Sequence, residues 1–519
     1  MMSGNFPSQR PVLPGAHDSV VAMLAAAAAE APKAEALVFG ERRLTYAGYI
    51  ACVAAFAHEL ESLGGRGERV ATLIGNSIDA CIAMFGALAA GAQLVPLNPL
   101  LTAHELAPIL LDAAPRVLVV DAALRGLIDA AARDAGIVHI VEVGHGGRHL
   151  DVSRDGEAAL PGLPQPDALA LLQYTGGTTG RAKGVELTHR AIAINVEQRE
   201  ALLPTRRGDR IVCMMPLSHA YGMAMGLFLA VHCAGALVIL ARYQPDEVLA
   251  VIARECIGIF PGSPTVFVGL MSHPAFAATD WRSVHTCYSG ASALAAATLA
   301  RWQAAVGAPV FEGYGLTEAG PVLSFNPARG PAKAGSVGVA VPTTEMQIVD
   351  VDTGTRVLAT GELGEIRARG PQLMQGYRGR PDETAQALRD GWLYTGDIGE
   401  LDADGYLFIR DRKKDMLIVG GYNVYPREVE EVLFAHPGVV DAAVVGEPDA
   451  YRGERVVAHV VLRPGATCNA DLLLAHCRER LAKYKVPERF RFADALPKTP
   501  ASKTDKRALR SLSSAVAPT

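Results

Sequence analysis

Long blocks of like charge are missing from this sequence, whose 49 Lys and Arg against 54 Asp and Glu leave a net charge of −5 over 519 residues. With no basic stripe there is no electrostatic footprint for nucleic acid or an anionic membrane, so small molecules are the expected partners. Eight cysteines are present, but none forms a C-x-x-C pair or falls at metal-site spacing. Reduced buried thiols are expected rather than disulfides, which fits the cytoplasm. The stretch "MMSGNFPSQRPVLPG" has prolines where a signal peptide needs an apolar core, so it reads as a frayed arm with no export signal. Charge is absent altogether from Ala220 to Leu240, a span long enough to cross a bilayer. Gly222, Gly226, His232 and Gly235 interrupt it, so it reads as a buried helix, a glycine turn and the strand "ALVIL", and no integral membrane segment is expected.

What is present points to several domains. Hydrophobic residues make up 50% of a chain longer than one core usually supports. Short aliphatic runs ("RVATLIG", "AQLVPL", "RVLVVD", "RIVCMMP", "ALVIL", "CIGIFPG") alternate with alanine-rich helical stretches, which predicts parallel sheets covered by helices. Ser19 or Asp18 suits the N-cap of the first helix. After Gly361 the texture changes to "GELGEIRARG" and "DADGYLFIRDR", a small β-rich section taken to begin near residue 335. From Asp415 it changes again. "PREVEEVLFAHPGV" predicts a helix opened by Pro426 and closed by Gly438, followed by strands in "DAAVVGEP" and "VVAHVVL" and a helix over "ADLLLAHCRERLAKY". The fold class is therefore multidomain α/β: a large N-terminal domain of helix-covered sheets with a β-rich subdomain, then a small α+β C-terminal domain.

The stretch "YTGGTTGRAKG", Tyr174 to Gly184, has the composition of a phosphate cradle but not the residue order of the common nucleotide loop, because Lys183 sits between Ala182 and Gly184. An apolar strand precedes it and a helix follows soon after. Backbone amides at Gly176, Gly177 and Gly180 and the hydroxyls of Thr175, Thr178 and Thr179 can wrap an anion there, with Lys183 supplying charge. By itself such a loop also reads as an ordinary surface loop.

Further motifs follow in order: "EGYGLTEAG" from Glu312, "GWLYTGDIG" from Gly391, "DRKKDMLIVGGYNVYPREVE" from Asp411 and "LPKTPASKTDK" from Leu496. Together the five resemble the adenylate-forming superfamily of acyl-CoA synthetases, luciferases and peptide-synthetase adenylation domains, from about Leu44 to Arg507. "LQYTGGTTGRAKGVELTH", "FEGYGLTE" and "RDRKKDM" look closest to bacterial fatty-acyl-CoA ligases. The resemblance implies a ligase that joins a carboxylate to the α-phosphate of ATP, expels pyrophosphate and passes the acyl group to the thiol of coenzyme A. The carboxylate is already ionised at neutral pH, so the obstacle is anion meeting polyanion rather than proton removal.

The resemblance also implies roles. Thr175 to Gly180 and Lys183 would hold the β- and γ-phosphates. Tyr314, between Gly313 and Gly315, would stack on adenine, Thr317 would donate to the α-phosphate and Glu318 would ligate Mg²⁺, the expected cofactor. Asp397 would accept the ribose hydroxyls with Arg412 beside it. Lys414 would be the hinge between residues 1–413 and a mobile domain of 415–519. Lys503 would bridge carboxylate and α-phosphate, although the glycine expected before it is Ser502. Rotation would then bring Gly420 and Gly421 to line a channel for the pantetheine arm.

His219 in "MMPLSHAYGM" falls where related ligases have a residue beside the acyl site, although a lone histidine also reads as a core residue. No aspartate lies between Met214 and Met225, which argues against an amino-acid substrate. The expected acyl walls, including Gly290, Ala291 and Gly313, are small or apolar and carry no Arg or Lys, which disfavours a dicarboxylate such as malonate. A medium- or long-chain fatty acid is the expected substrate. Aryl or phenylpropanoid acids and transfer to a carrier-protein thiol are the alternatives, and a homodimer is compatible with the sequence.

Overall fold

The computed structural model describes residues 13, 17–151, 159–175, 182–290, 294–331, 333–419, 422–449, 452–499 and 503–514. Two helix-covered sheets form its larger part. One runs in the order Val339–Ala340, Val322–Phe325, Val310–Gly315, Thr286–Ser289, Ile259–Gly262, Arg210–Cys213, Ala236–Ile239, Glu35–Phe39, Arg42–Thr45. The other runs Gly376–Tyr377, Lys183–Thr188, Leu169–Thr175, Gln93–Pro96, Arg69–Leu73, Val117–Asp121, His139–Val143. The aliphatic runs of the sequence supply their parallel centres. Antiparallel pairs appear toward the ends, as between Glu35–Phe39 and Arg42–Thr45 or Leu169–Thr175 and Lys183–Thr188. There the connections are too short for the crossover that a parallel pair needs.

Between the sheets lies the helix Ile78–Ala89, buried at every residue because "IDACIAMFGALA" is apolar on all faces. Its one charge, Asp79, accepts from the Leu150 amide at 2.6 Å and contacts His149 Nδ1 at 2.9 Å. Side chains of Ser19, Thr45, Ser77, Thr102 and Thr188 cap their helices, each contributing about 1 kcal/mol.

The uncharged span from Ala220 does form a buried helix, a turn and the strand Ala236–Ile239, but its middle, Met223–Phe228, is π-helical. Among the described residues no helix is long and apolar enough to cross a membrane. The β-rich section is a sheet of Glu345–Val349, Gly364–Arg369, Trp392–Leu401 and Leu388–Arg389, with Leu407–Arg412 paired to Trp392–Leu401.

Beyond Asp415 a further sheet is built on the long hairpin Val439–Asp449 and Gly453–Leu462. Its period of two divides the faces. Val444, Val456, Ala458 and Val460 pack under the helices Pro426–Phe434 and Ala470–Arg478, while Ala443, Val445 and Val457 pack with Leu496 and Leu509 on the opposite side. Both helices are shorter than their sequence patterns. The first stops at Phe434 rather than at Gly438, because Pro437 disfavours helical geometry at the residue before it. The second ends at Arg478, before a 3₁₀ turn at Lys483–Lys485.

Candidate active site

The strand Leu169–Thr175 pairs with Lys183–Thr188 so that Thr175 lies opposite Lys183. The glycine-rich stretch therefore connects two antiparallel strands. The helix expected soon after it begins only at His189, with a strand in between, so this loop does not open directly onto a helix N-terminus. Gly176, Gly177, Thr178, Thr179 and Gly180 lie outside the described residues, as do Ala291, Gly420, Gly421 and Ser502. The Lys183 ammonium is ion-paired with Glu383 and sits 4.9 Å from the centre of the Tyr377 ring.

Val310–Gly315 carries the next motif and ends in a 3₁₀ turn, Thr317–Ala319. A Cβ at Gly315 would lie 1.7 Å from the Pro321 carbonyl oxygen, so only glycine lets the chain fold back this tightly and present Thr317 and Glu318. One Glu318 oxygen accepts from the Tyr377 hydroxyl at 2.8 Å, with no other hydrogen bond to this carboxylate among the described residues. A partly exposed carboxylate with one oxygen free of hydrogen bonds among the described residues fits a hard cation such as Mg²⁺.

Asp397 follows Gly396, whose φ of +71° turns the strand Trp392–Leu401 at this point. The carboxylate is buried, accepts from the Tyr314 hydroxyl at 2.6 Å and lies 3.5 Å from Arg412 Nε, its cross-strand neighbour. Burial pushes its pKa up, opposed by Arg412, Tyr314 and the nearby Lys503 and Lys414.

Lys503 comes from the far end of the chain. Its backbone carbonyl accepts from the Thr499 amide at 2.7 Å, and the nearby Lys498 Nζ donates to Asp441 at 2.7 Å. Burial first, then repulsion from Arg412 and Lys414, pushes the Lys503 ammonium down to about 8, with Asp397 pulling the other way. His219 caps the short helix Ala220–Gly222, its Nδ1 accepting from the Tyr221 amide at 3.2 Å. That bond puts the proton of the neutral ring on Nε2. Burial and the adjacent Lys503 lower its pKa to about 4, so the ring is neutral at physiological pH. Asp397, Arg412, Lys414, Lys503 and His219, spread over nearly three hundred positions of sequence, thus come near enough to interact electrostatically, His219 through Lys503. The turn that holds Lys414 joins Leu407–Arg412 to Leu417–Val419.

On the acyl side, a Cβ at Gly290 would meet the Tyr221 ring at 2.6 Å and one at Gly313 would meet the Phe325 ring at 2.3 Å, so both glycines are already covered by aromatic side chains. A narrow apolar cavity of ≈ 10 Å³ lies among the described residues, lined by Ala220, Met223, Ala224, Phe228 and Ile192 and reaching Thr317. It holds about one water. Sequence reasoning also missed Arg199. The guanidinium is fully buried, 4.3 Å from the Tyr288 ring centre and 5.3 Å from that of Phe325, paired with Glu200. A cation therefore does lie behind the segments expected to wall the acyl site, but two rings and a carboxylate screen it. Nothing in the wall's own segments could have signalled it, since Arg199 belongs to the helix His189–Leu202. Tyr377 and Glu383 were missed too, in "QGYRGRPDET", which carries no chemical signal until folding sets it beside Lys183.

The profile of the family described as AMP-binding enzyme matches residues 24–378, and that of the AMP-binding enzyme C-terminal domain matches 428–503. The chain belongs to this adenylate-forming family. Among its relatives, a long-chain-fatty-acid–CoA ligase of Bacillus subtilis (strain 168) is 36% identical over 532 residues, covering 96% of this chain and 95% of the relative. A feruloyl-CoA synthase of an Amycolatopsis species is 37% identical, covering 92% and 96%. The crystal structure of the anthranilate CoA ligase AuaEII with anthranoyl-AMP superposes with a TM-score of 0.89 at 30% identity, covering 97% of this chain and 99% of that one.

Proposed function

We propose that this AMP-forming acid:CoA ligase activates a medium- or long-chain fatty acid in the cytoplasm, with ATP, the acid and coenzyme A as its partners. The observation that carries the reading is the convergence of Lys503 on Asp397, Arg412 and His219, beside an apolar cavity that starts at Thr317. In the first half-reaction the acid's carboxylate attacks the α-phosphate and pyrophosphate leaves. Lys503, mostly protonated at neutral pH, offsets the charge of both anions, and Thr317 donates to the α-phosphate. Asp397 and Arg412 hold the ribose, and Tyr314 both fixes Asp397 through its hydroxyl and offers its ring to adenine. Thr175 to Gly180 and Lys183 take the β- and γ-phosphates. Glu318 would hold Mg²⁺, which would supply positive charge to offset that of the phosphates. Neutral His219 closes the pocket around the carboxylate without adding charge.

In the second half-reaction the thiol attacks the acyl-adenylate and AMP leaves. Residues 415–519 turn about Lys414 relative to 1–413, withdrawing Lys503 and bringing Gly420 and Gly421 to the thiol's path. An alkyl chain needs more room than the cavity offers. Met223 and Phe228 sit at the two ends of the π-helical stretch that lines it, a local geometry frequent at functional sites, and methionine repacks readily. Pyrophosphate release across acids of graded length and aromaticity tests the reading: a rate that climbs with alkyl length supports it, and preference for cinnamic or benzoic acids replaces it with the aryl-acid alternative.

A further inference from the structure

Lys183 already has an anionic partner in the protein. Its ammonium is ion-paired with Glu383 Oε2, in the first turn of the helix Pro381–Ala387, and rests on the Tyr377 ring. Tyr377 lies in Gly376–Tyr377, which pairs with Val185 and Glu186 of the strand that Lys183 begins, and its hydroxyl holds Glu318. Glu383 in turn lies 3.3 Å from Arg380 Nη1 through its other oxygen. One chain of contacts thus runs from Glu318 through Tyr377, Lys183 and Glu383 to Arg380.

A lysine ammonium is a compact point charge, and two anions drawn to it repel each other. The side chains of Lys183 and Glu383 are 20% and 27% exposed. The pair is thus screened enough to exchange partners and sheltered enough for the exchange to matter. On the reading that Lys183 holds the leaving phosphates, we propose that Glu383 is an internal competitor for pyrophosphate. Polyphosphate takes the ammonium when it binds, and Glu383 recovers it as pyrophosphate departs, which weakens product binding and favours release. Arg380 gives the displaced carboxylate a second cation, so Glu383 is not left unpaired during the exchange. Tyr377 keeps the ammonium in place while its partner changes. No bond is made or broken in this step.

The test uses the full-length protein and magnesium pyrophosphate as probe. Glu383→Gln keeps the shape and removes the charge. It should lower both the inhibition constant of pyrophosphate in acyl-adenylate formation and the KM for ATP by about three- to tenfold, with the KM for the acid unchanged. Glu383→Asp, which keeps a carboxylate on a shorter arm, should fall between. In a Lys183→Ala background the Gln change should alter pyrophosphate affinity by less than about twofold. An unchanged or weaker pyrophosphate affinity in folded Glu383→Gln overturns the proposal, as does an equal gain in the Lys183→Ala background, since that gain would be general charge relief. Calorimetric titration of the protein with magnesium pyrophosphate reads the same effect without turnover. Failure of the wild type to adenylate any acid would sink the ligase reading, whereas a calorimetric gain absent from Glu383→Gln would sink this one alone.

Discussion

Two lysines serve the two ends of the proposed triphosphate site, and they are held in opposite ways. Lys183 begins a sheet strand, is ion-paired with Glu383 and lies against an aromatic ring. Lys503 sits on a loop of the C-terminal part, with no carboxylate within ion-pair distance among the described residues, and burial first, then repulsion from Arg412 and Lys414, lowers its pKa to about 8. The first is a cation stabilised locally, which must exchange a partner to act. The second is destabilised locally, and an arriving carboxylate and phosphate relieve it. A site that must bind, react and then release benefits from both arrangements. The tightly partnered charge limits affinity for the product, and the poorly partnered one is stabilised most when the reacting groups are present.

Removing the unpartnered cation should have the largest effect. Lys503→Ala is expected to slow adenylation by about two to three orders of magnitude, measured as pyrophosphate release, while thioester formation from supplied acyl-AMP survives. An equal fall in both half-reactions would mean that Lys503 holds the fold rather than the reacting anions. Next comes Lys414→Pro, which fixes φ at about −65° and strips the amide donor. With the C-terminal part kept near the orientation that docks Lys503, the variant should release pyrophosphate and retain acyl-AMP yet make little acyl-CoA. Normal acyl-CoA synthesis would remove Lys414 as the hinge.

A pH profile sharpens the comparison without mutation. In the proposed role the charged form of Lys503 is the active one, and burial depresses its pKa to about 8. kcat/KM for adenylation should therefore hold at neutral pH and fall about tenfold over each unit well above 8. In Lys503→Arg, whose charge persists to far higher pH, whatever activity remains should lose this limb. The smallest effect is expected at the partnered end. Tyr377→Phe keeps the ring under Lys183 but frees the Glu318 oxygen, so the Mg²⁺ concentration giving half-maximal adenylation should rise by about tenfold while KM for the acid stays put. An unchanged Mg²⁺ requirement would disconnect Tyr377 from the metal.

The sequence by itself determined the elements and the family. Aliphatic runs became the parallel strands because period and length are local properties, and the five ordered motifs named the chemistry because each is contiguous. Helix ends were less legible. Pro437 stopped the helix at Phe434 through a constraint on the preceding residue, whereas the sequence pattern pointed to the later glycine. Within the candidate site, Tyr314, Thr317, Glu318, Asp397, Arg412 and Lys503 were all nameable from their motifs. Their partners were not. Glu383 on Lys183, Tyr377 on Glu318 and Arg199 behind Tyr288 are contacts across distant segments that only tertiary structure decides. The same holds for the surroundings of the two lysines, because folding brings both their burial and their neighbours, and nothing in "RAKG" or "ASKTD" encodes either.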